Sequence, residues 1–277
     1  MISKKSKIFI AGHKGMVGSA IKKKFELNGY KKILTINKDK LNLLDQKKVF
    51  NYLKKSKPDL VIIAAAKVGG IIANSLYKSQ FIYENLQIQN NLIHGSYLAG
   101  VKNLIFLGSS CIYPKYSKQP IKEKYILTAP LEETNDAYAI AKISGILMCN
   151  NYSKNYKLNY KCLMPSNMYG PNDNYDLKNS HFLPALIRKI STASKKNKIV
   201  KLWGTGRPLR EILYVDEVAE ACEFFLKKKT NTSLINIGSQ VEMTIKDYAL
   251  KVKKKIDPKV LIKFDNNIKL DGVKRKK

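Results

Sequence analysis

The sequence has few of the residues that mark disulfide-linked, metal-binding or membrane-spanning proteins. Its four cysteines are scattered without the spacing of metal ligands, which argues against a zinc site or a disulfide framework. No apolar run reaches the ~18 residues of a membrane span, and the first residues lack the apolar stretch of a signal peptide. These absences predict a cytoplasmic protein without a membrane partner or a bound metal.

Acidic residues and arginine are also scarce. With 51 basic and 21 acidic residues the formal net charge is +30, a value that is typical of nucleic-acid-binding proteins. Only four of the basic residues are arginine, however, whereas base recognition and bidentate phosphate binding favour arginine. The lysines are spread over the whole chain. We therefore expect no nucleic-acid partner and interpret the charge as a moderate attraction for anionic substrates.

A glycine-rich turn follows the first predicted strand. The apolar run Lys7–Ala11 is followed directly by Gly-x-x-Gly-x-x-Gly and then by residues with helical spacing. Strand, glycine turn and helix form the context in which a dinucleotide pyrophosphate binds at a helix N-terminus. An ordinary glycine turn is the alternative, because the commoner fingerprint is Gly-x-Gly-x-x-Gly. We predict that this turn binds the cofactor through Gly12, His13, Lys14, Gly15, Met16, Val17 and Gly18.

The end of the second predicted strand bears on the choice between NAD and NADP. Residues 32–36 have a strand pattern, and Lys38 follows where an NAD-binding protein usually has Asp or Glu. Lys14 and Lys38 therefore favour a 2′-phosphate and hence NADP(H), although Asp39 weakens this preference and two solvated lysines are the alternative. Asn42 is expected on the adenine side of the cofactor.

The most informative stretch follows a buried-strand pattern over residues 101–107. Gly108-Ser-Ser-Cys111 comes next, at the edge where open parallel sheets bind ligands. Downstream, Tyr138 and Lys142 are four residues apart, so both side chains lie on one face of a helix. We expect the Lys142 cation to lower the pKa of Tyr138, and Ser109 to hold the substrate oxygen that Tyr138 protonates. Each motif alone is common, but this combination is rare.

The remaining segments alternate between strand and helix patterns. Strands are predicted over 58–66 and from 160 to 165, and long helices over 75–99 and 138–154. This alternation predicts an α/β protein with a doubly wound parallel Rossmann sheet of the seven-stranded type within residues 1–170. Residues 171–277 would mainly form a smaller lobe, from which some segments return to the first domain. Asn85, Asn90 and Asn91 receive no role, because a buried Asn on a helix is often only a satisfied polar group.

Together these motifs resemble the extended short-chain dehydrogenase/reductase superfamily, and within it the epimerase/reductases of GDP-4-keto-6-deoxy sugars. The resemblance rests on Ala11-Gly-His-Lys-Gly-Met-Val-Gly-Ser-Ala20, Ala64-Ala-Ala-Lys-Val-Gly-Gly70, Leu107-Gly-Ser-Ser-Cys-Ile-Tyr-Pro114, Tyr138-Ala-Ile-Ala-Lys142, Asn179-Ser-His181 and Trp203-Gly204. It implies NADPH-dependent 3,5-epimerisation and 4-reduction of a GDP-sugar by a homodimer that pairs its two long helices.

The same resemblance implies a role for individual residues. The reductase triad would be Ser109, Tyr138 and Lys142, and the epimerase pair Cys111 and His181. Further NADP(H) contacts would come from Leu107, Gly108, Ser109, Ser110, Lys142, Pro165, Ser166, Asn167, Met168 and His181. The GDP-sugar would contact Lys189, Trp203, Arg210 and Asp271. A His181 cation would lower the pKa of the Cys111 thiol, so that its thiolate can act as a base.

Two alternative functions remain open at this point. A 4-epimerase or 4,6-dehydratase of the same fold would be expected to carry acidic residues next to Ser109, where Cys111 stands. An inactive NADP-binding protein is the other alternative. The resemblance implies several tens of residues past Asp271 that complete the small lobe, whereas this sequence has six.

Overall fold

A computed structural model describes residues 2–177, 180–196, 199–228, 233–268, 273 and 275–276. Its strands are β1 (Lys7–Ala11), β2 (Lys32–Leu34), β3 (Leu60–Ile63), β4 (Asn103–Leu107), β5 (Asn159–Pro165), β6 (Asn167–Tyr169), β7 (Val200–Leu202), β8 (Leu209–Tyr214), β9 (Leu234–Ile237), β10 (Glu242–Thr244), β11 (Ile262–Phe264) and β12 (Arg275–Lys276). Its helices are α1 (Met16–Leu27), α2 (Gln46–Ser56), α3 (Ile71–Leu76), α4 (Lys78–Leu98), α5 (Asp136–Tyr156), α6 (Phe182–Lys196), α7 (Val215–Lys227) and α8 (Ile245–Ile256).

A parallel sheet with the strand order β2-β1-β3-β4-β5-β9 forms the centre of the molecule. The order reverses between β1 and β3, as in doubly wound folds that bind a ligand at the carboxyl edge. The predicted Rossmann sheet is therefore confirmed. Its strand number is not: the described residues supply six strands, because β10, which follows β9 in the chain, pairs with β8 in a separate sheet.

The sheet is covered on both faces, which explains the continuous apolar runs of its strands. Phe9, Ile63 and Phe106 belong to one buried cluster, which includes residues of α2, α4 and α5. Ile8, Ile62 and Leu163 belong to a second cluster, which includes residues of α1 and α7. Both faces therefore exclude water, and polar side chains concentrate where the strands end.

The helix predicted over 75–99 is interrupted in the structure. Tyr77, with φ −117° and ψ 35°, separates α3 from α4. Lys78 Nζ donates to the carbonyl of Glu133 at 2.6 Å, which holds the start of α4 near the start of α5. Helical periodicity continues across this break, so the pattern alone could not reveal it. Strand β2 also ends earlier than predicted, at Leu34.

The chain beyond residue 171 builds a second core and also returns to the sheet. Leu186, Ile190, Leu202 and Tyr248 belong to a third buried cluster, formed by α6, α8 and short strands. Strand β9 pairs with β5 in the central sheet, and α7 packs beside α1. Strand β8 pairs with β10 and β12 near its start and with β6 near its end. No helix within the described residues is long and apolar enough to cross a membrane.

Candidate active site

The turn between β1 and α1 requires glycine at two positions for steric reasons. Gly12 has φ +91°, and a Cβ there would lie 2.7 Å from the backbone nitrogen of Ala65. A Cβ at Gly18 would collide with the Gly12 carbonyl, so α1 packs directly against the turn. These two glycines hold β1, the turn and the loop after β3 in close contact.

Gly15, unlike Gly12 and Gly18, is not required by steric contacts within the fold. Its presence therefore bears on whether a dinucleotide binds at this turn. Gly15 is exposed, and a Cβ there would meet only the Gly12 carbonyl, at an ordinary 3.5 Å. The fold itself therefore does not require glycine at this position. Gly15 precedes α1, whose first turn carries no acidic residue, so the helix N-terminus offers backbone N–H donors and a positive dipole. A pyrophosphate that approaches the backbone closely fits both observations.

The residues expected near the adenosine lie along the carboxyl ends of β1 and β2. Lys14 and Lys38 are exposed there, as is Asn42. Burial and the neighbouring Lys14 cation lower the pKa of His13, whereas a hydrogen bond to Asn37 opposes this shift. The neutral imidazole is therefore favoured, and the positive charge of this surface comes from the lysines.

Ser109 and Cys111 lie where β4 ends. Ser109 has an extended backbone, and its Oγ accepts a hydrogen bond from the Cys111 nitrogen at 3.4 Å. This contact starts a short 3-10 helix over Ser110–Ile112, in which Cys111 is buried. A Cβ at Gly108 would collide with the Met164 side chain, so glycine lets β4 and β5 run close together before the chain turns.

Lys142 joins the two motifs that the sequence analysis singles out. It is buried on α5, and its Nζ donates to the carbonyl of Leu107, the last residue of β4, at 2.8 Å. The same Nζ lies 4.7 Å from the ring centroid of Phe106 and 5.7 Å from that of Tyr138. The Tyr138 helix is therefore fixed against the strand that leads to Ser109.

The expected lowering of the pKa of Tyr138 is wrong. Burial raises this pKa, and a negative charge on Cys111 raises it further. Burial also lowers the pKa of Lys142 to about 8, because its ammonium group has left water. Tyr138 is therefore held as a neutral phenol that can donate a proton.

His181 and Ser166 lie on segments that follow the sheet strands. His181 precedes α6 and is exposed, yet the protein around it lowers its pKa by desolvation, an effect that Asp173 opposes. The neutral imidazole is therefore favoured, contrary to the cation that the sequence analysis expects.

Ser166 follows Pro165 at the end of β5, and its Oγ is buried without a hydrogen-bond partner among the described residues. Such an atom suits a polar ligand at this edge.

Three residues expected to hold a GDP-sugar, Lys189, Trp203 and Arg210, lie beyond residue 171 on α6, after β7 and on β8. Lys189 Nζ lies 5.0 Å from the ring centroid of Trp203, whose side chain is 55% exposed. Burial lowers the pKa of Lys189, and Asp265 opposes the shift. Arg210 Nη1 donates to the carbonyls of Leu209 and Val273 at 2.8 and 2.7 Å, so its guanidinium is braced by the main chain. Asp271 and Asn179 lie outside the described residues.

Comparisons with known proteins place this chain in a family. The sequence profile of the NAD dependent epimerase/dehydratase family matches residues 8–238. Putative GDP-L-fucose synthase 2 of Arabidopsis thaliana is 48% identical over 277 residues, covering 100% of this chain and 84% of the relative. GDP-L-fucose synthase of Escherichia coli strain K12 is 44% identical, covering 98% and 88%. The chain belongs to the GDP-L-fucose synthase family.

Solved structures support the same placement in the GDP-L-fucose synthase family. A GDP-6-OMe-4-keto-L-xylo-heptose reductase from Campylobacter jejuni superposes with a TM-score of 0.91 at 31% identity, covering 99% of this chain and 90% of that one. A GDP-L-fucose synthetase from Naegleria fowleri bound to NADP gives 0.90 at 25% identity, covering 100% and 86%. The sequence resemblance and the predicted fold class are thereby confirmed.

Three buried amides on α4 bind site segments, although Asn85 and Asn91 receive no role from the sequence and Gln89 is not singled out by it. Asn91 Nδ2 donates to the carbonyl of Leu43 at 2.8 Å and anchors the loop that follows β2. Asn85 and Gln89 bind the backbone of other site segments. No motif marks these contacts, because Leu43, Lys67 and Ala141 lie outside α4 and only the assembled fold brings them to it.

Proposed function

We propose that this protein is an NADPH-dependent enzyme that epimerises GDP-4-keto-6-deoxy-D-mannose at C3 and C5 and reduces it at C4, giving GDP-L-fucose. The observation that carries the proposal is the Lys142 contact with Leu107, which brings Tyr138 to the Ser109 strand end in a chain of this family. NADPH, when bound, supplies the hydride that reaches C4. The glycine turn, Ser166 and Lys142 would hold that cofactor.

The Ser109 hydroxyl and the Tyr138 phenol have complementary roles in the reduction. Ser109 holds the C4 oxygen by a hydrogen bond, and Tyr138 gives that oxygen a proton as the C4 carbonyl becomes an alcohol. The raised pKa of Tyr138 keeps its proton in place until the oxygen becomes basic. The Lys142 cation, 5.7 Å from the Tyr138 ring centroid, stabilises the phenolate that is left behind.

Epimerisation uses the acidity that the C4 ketone confers on C3 and C5. A base removes a proton from one face of each carbon, and an acid returns a proton to the other face. We assign these roles to Cys111, which is buried next to Ser109, and to His181. Electrostatic interactions of Cys111 with Tyr138 and Lys142 support its place in the same pocket.

The assignment to a GDP-sugar with NADPH draws on the relatives and on the positive charges of individual lysine and arginine side chains. The Naegleria fowleri relative binds NADP, and the exposed Lys14 and Lys38 suit a 2′-phosphate. Trp203 offers an exposed face for a guanine ring, and Lys189 and Arg210 offer cations for the diphosphate. Asp271 completes this proposed set by resemblance. We retain the division at residue 170 and a cytoplasmic location, without nucleic acid or membrane, as predictions.

A homodimer through α4 and α5 is part of the proposal. The two helices pack against each other, and both expose large apolar side chains on the outside. Tyr83 is 63% and Leu98 is 55% exposed on α4, and Ile140 is 41% and Leu147 is 44% exposed on α5. Exposed apolar side chains that cluster on neighbouring helices mark interaction surfaces. A second copy would bury them in a four-helix bundle.

Separating the two half-reactions by mutation tests the proposed function. Cys111→Ser replaces the thiol by a hydroxyl of much higher pKa, so solvent deuterium exchange at C3 and C5 should fall by roughly 10²- to 10⁴-fold. The variant should still oxidise NADPH and form an unepimerised alcohol. Tyr138→Phe should abolish reduction while exchange continues more slowly. NMR of the sugar and absorbance of NADPH measure both.

Cys222→Ser is the matched control for removing a buried thiol, because Cys222 lies on α7 in the second cluster. It should leave both half-reactions intact. Wild-type exchange in Cys111→Ser would contradict the role of the thiol. Absence of NADPH oxidation by the wild-type protein would contradict the proposed function as a whole.

A further inference from the structure

Among the buried amides of helix α4, Asn85 and Gln89 lie one turn apart and therefore share a face. Each is only 2% exposed. A buried amide costs free energy unless its polar atoms are hydrogen-bonded, whereas an aliphatic residue would give the same packing without that cost. The partners of these amides therefore indicate what they do.

Gln89 binds the backbone of the helix that carries Tyr138 and Lys142. Its Nε2 donates to the carbonyl of Ala141, the residue before Lys142, at 2.6 Å. A Cβ at Gly145 would lie 2.6 Å from the Phe106 ring and 2.9 Å from Gln89 Oε1, so glycine opens the space for this contact. The bond therefore holds α5 along its axis at the place where Gly145 packs against Phe106 of β4.

Gln89 Oε1 makes this side chain costly to bury. This atom is buried and has no hydrogen-bond partner within the described residues. The side chain thus leaves a polar atom unsatisfied while its amide hydrogen reaches Ala141. A residue that served only to fill the core would not need either atom.

Asn85 binds the loop that follows β3. Its Oδ1 accepts from the Lys67 nitrogen at 2.9 Å, and its Nδ2 donates to the Lys67 carbonyl at 3.0 Å. This loop also includes Ala65, whose backbone abuts Gly12. One turn before Asn85, the ring of Phe81 packs edge-on against Tyr138, with ring centroids 6.5 Å apart. Asn85 thereby holds the loop between the glycine turn and Tyr138.

We infer that Gln89 and Asn85 are positioning residues for the reaction: α4 uses them to set the distance between the Tyr138 and Lys142 side chains and the cofactor-facing loop. The inference rests on the proposed function, since it concerns the same site. Neither residue touches the reacting atoms. Both act through backbone that carries or faces the residues of the site, where a misplacement of about 1 Å can cost on the order of 10²-fold in rate.

Gln89→Met tests the inference, because methionine keeps the length and packing of the side chain but cannot donate to Ala141. We expect kcat for NADPH oxidation to fall between about 10- and 100-fold, while the KM for the sugar and the NADPH Kd from fluorescence titration change less than about twofold. Asn85→Leu should weaken NADPH binding as well, since its loop abuts the glycine turn. Asn90→Leu, at an exposed position of the same helix, is the control and should leave all these values unchanged.

Amide hydrogen exchange gives a readout that does not depend on turnover. Gln89→Met should speed exchange over residues 136–144 relative to Asn90→Leu, because the start of α5 is no longer held at Ala141. Wild-type kcat in Gln89→Met, or exchange equal to that of the control, would overturn the positioning role. A wild-type protein that fails to oxidise NADPH would instead refute the proposed function, and the exchange measurement would still decide this inference.

Discussion

Lys142→Met should make the protein more stable at neutral pH while it abolishes reduction. Burial lowers the pKa of Lys142 from 10.5 to about 8. At 1.36 kcal/mol per pKa unit, that shift means that keeping the ammonium charged in the folded state costs roughly 3 kcal/mol below pH 8. The variant also loses the hydrogen bond to the Leu107 carbonyl, which should lower its stability by about 1 kcal/mol. Its free energy of unfolding should therefore rise by about 2 kcal/mol in total.

The pH dependence separates this effect from a packing effect. Between about pH 8 and 10.5 the unfolded chain still binds the Lys142 proton, whereas the folded chain has released it. Stability of the wild type therefore rises with pH in this window, since the unfolded state binds more protons. The methionine variant lacks this group, so its advantage should shrink by about 2 kcal/mol between pH 7 and about pH 9.5.

Urea unfolding at the two pH values, followed by far-UV circular dichroism, measures both free energies of unfolding. Lys142→Gln, which keeps a polar group that can donate to Leu107 but carries no charge, serves as the second variant and should show the same change with pH. A stability difference between wild type and Lys142→Met that stays constant from pH 7 to about pH 9.5 would refute the reasoning. The same pKa predicts that wild-type NADPH oxidation declines as the pH rises through about 8, because Lys142 loses its charge.

Three further predictions concern the cofactor and the assembly. Gly18→Ala should disrupt the turn and the fold around it, whereas Gly15→Ala should keep the melting temperature and lose NADPH affinity in a fluorescence titration. Replacing Lys14 and Lys38 by Gln should erase a preference for NADPH over NADH of about tenfold in kcat/KM, worth on the order of 1 kcal/mol; equal preference in the wild type would contradict it. Sedimentation should show a dimer at micromolar concentration that Ile140→Glu converts to monomer, and a monomeric wild type would exclude this assembly.

The sequence is most informative where a local pattern and a buried strand coincide. The buried strand that ends at Leu107 and the shared helical face of Tyr138 and Lys142 are predicted, because each depends on strand or helix periodicity alone. The Gly12 turn is predicted for the same reason, since its strand and helix are adjacent in the chain. These features need no knowledge of the tertiary contacts.

The features that the sequence analysis misses depend on packing between distant elements. The pKa of Tyr138 rises because the completed fold removes water from it, and no spacing rule reports that desolvation. The break at Tyr77 and the bond from Gln89 to Ala141 likewise depend on where α5 docks against α4. Residues such as Gln89 have no motif of their own, so only the assembled backbone reveals their partner.

Strand β8 connects the small lobe with the part of the molecule that contains the central sheet. Its first residues pair with β10, next to the core of the small lobe, and its last residues pair with β6, which continues from β5 of the central sheet. Rotating one part against the other would have to bend this single six-residue strand or break its ladder on one side. Strand β8 therefore couples the small-lobe core to the central sheet through one continuous strand, so reorienting one against the other would cost backbone hydrogen bonds.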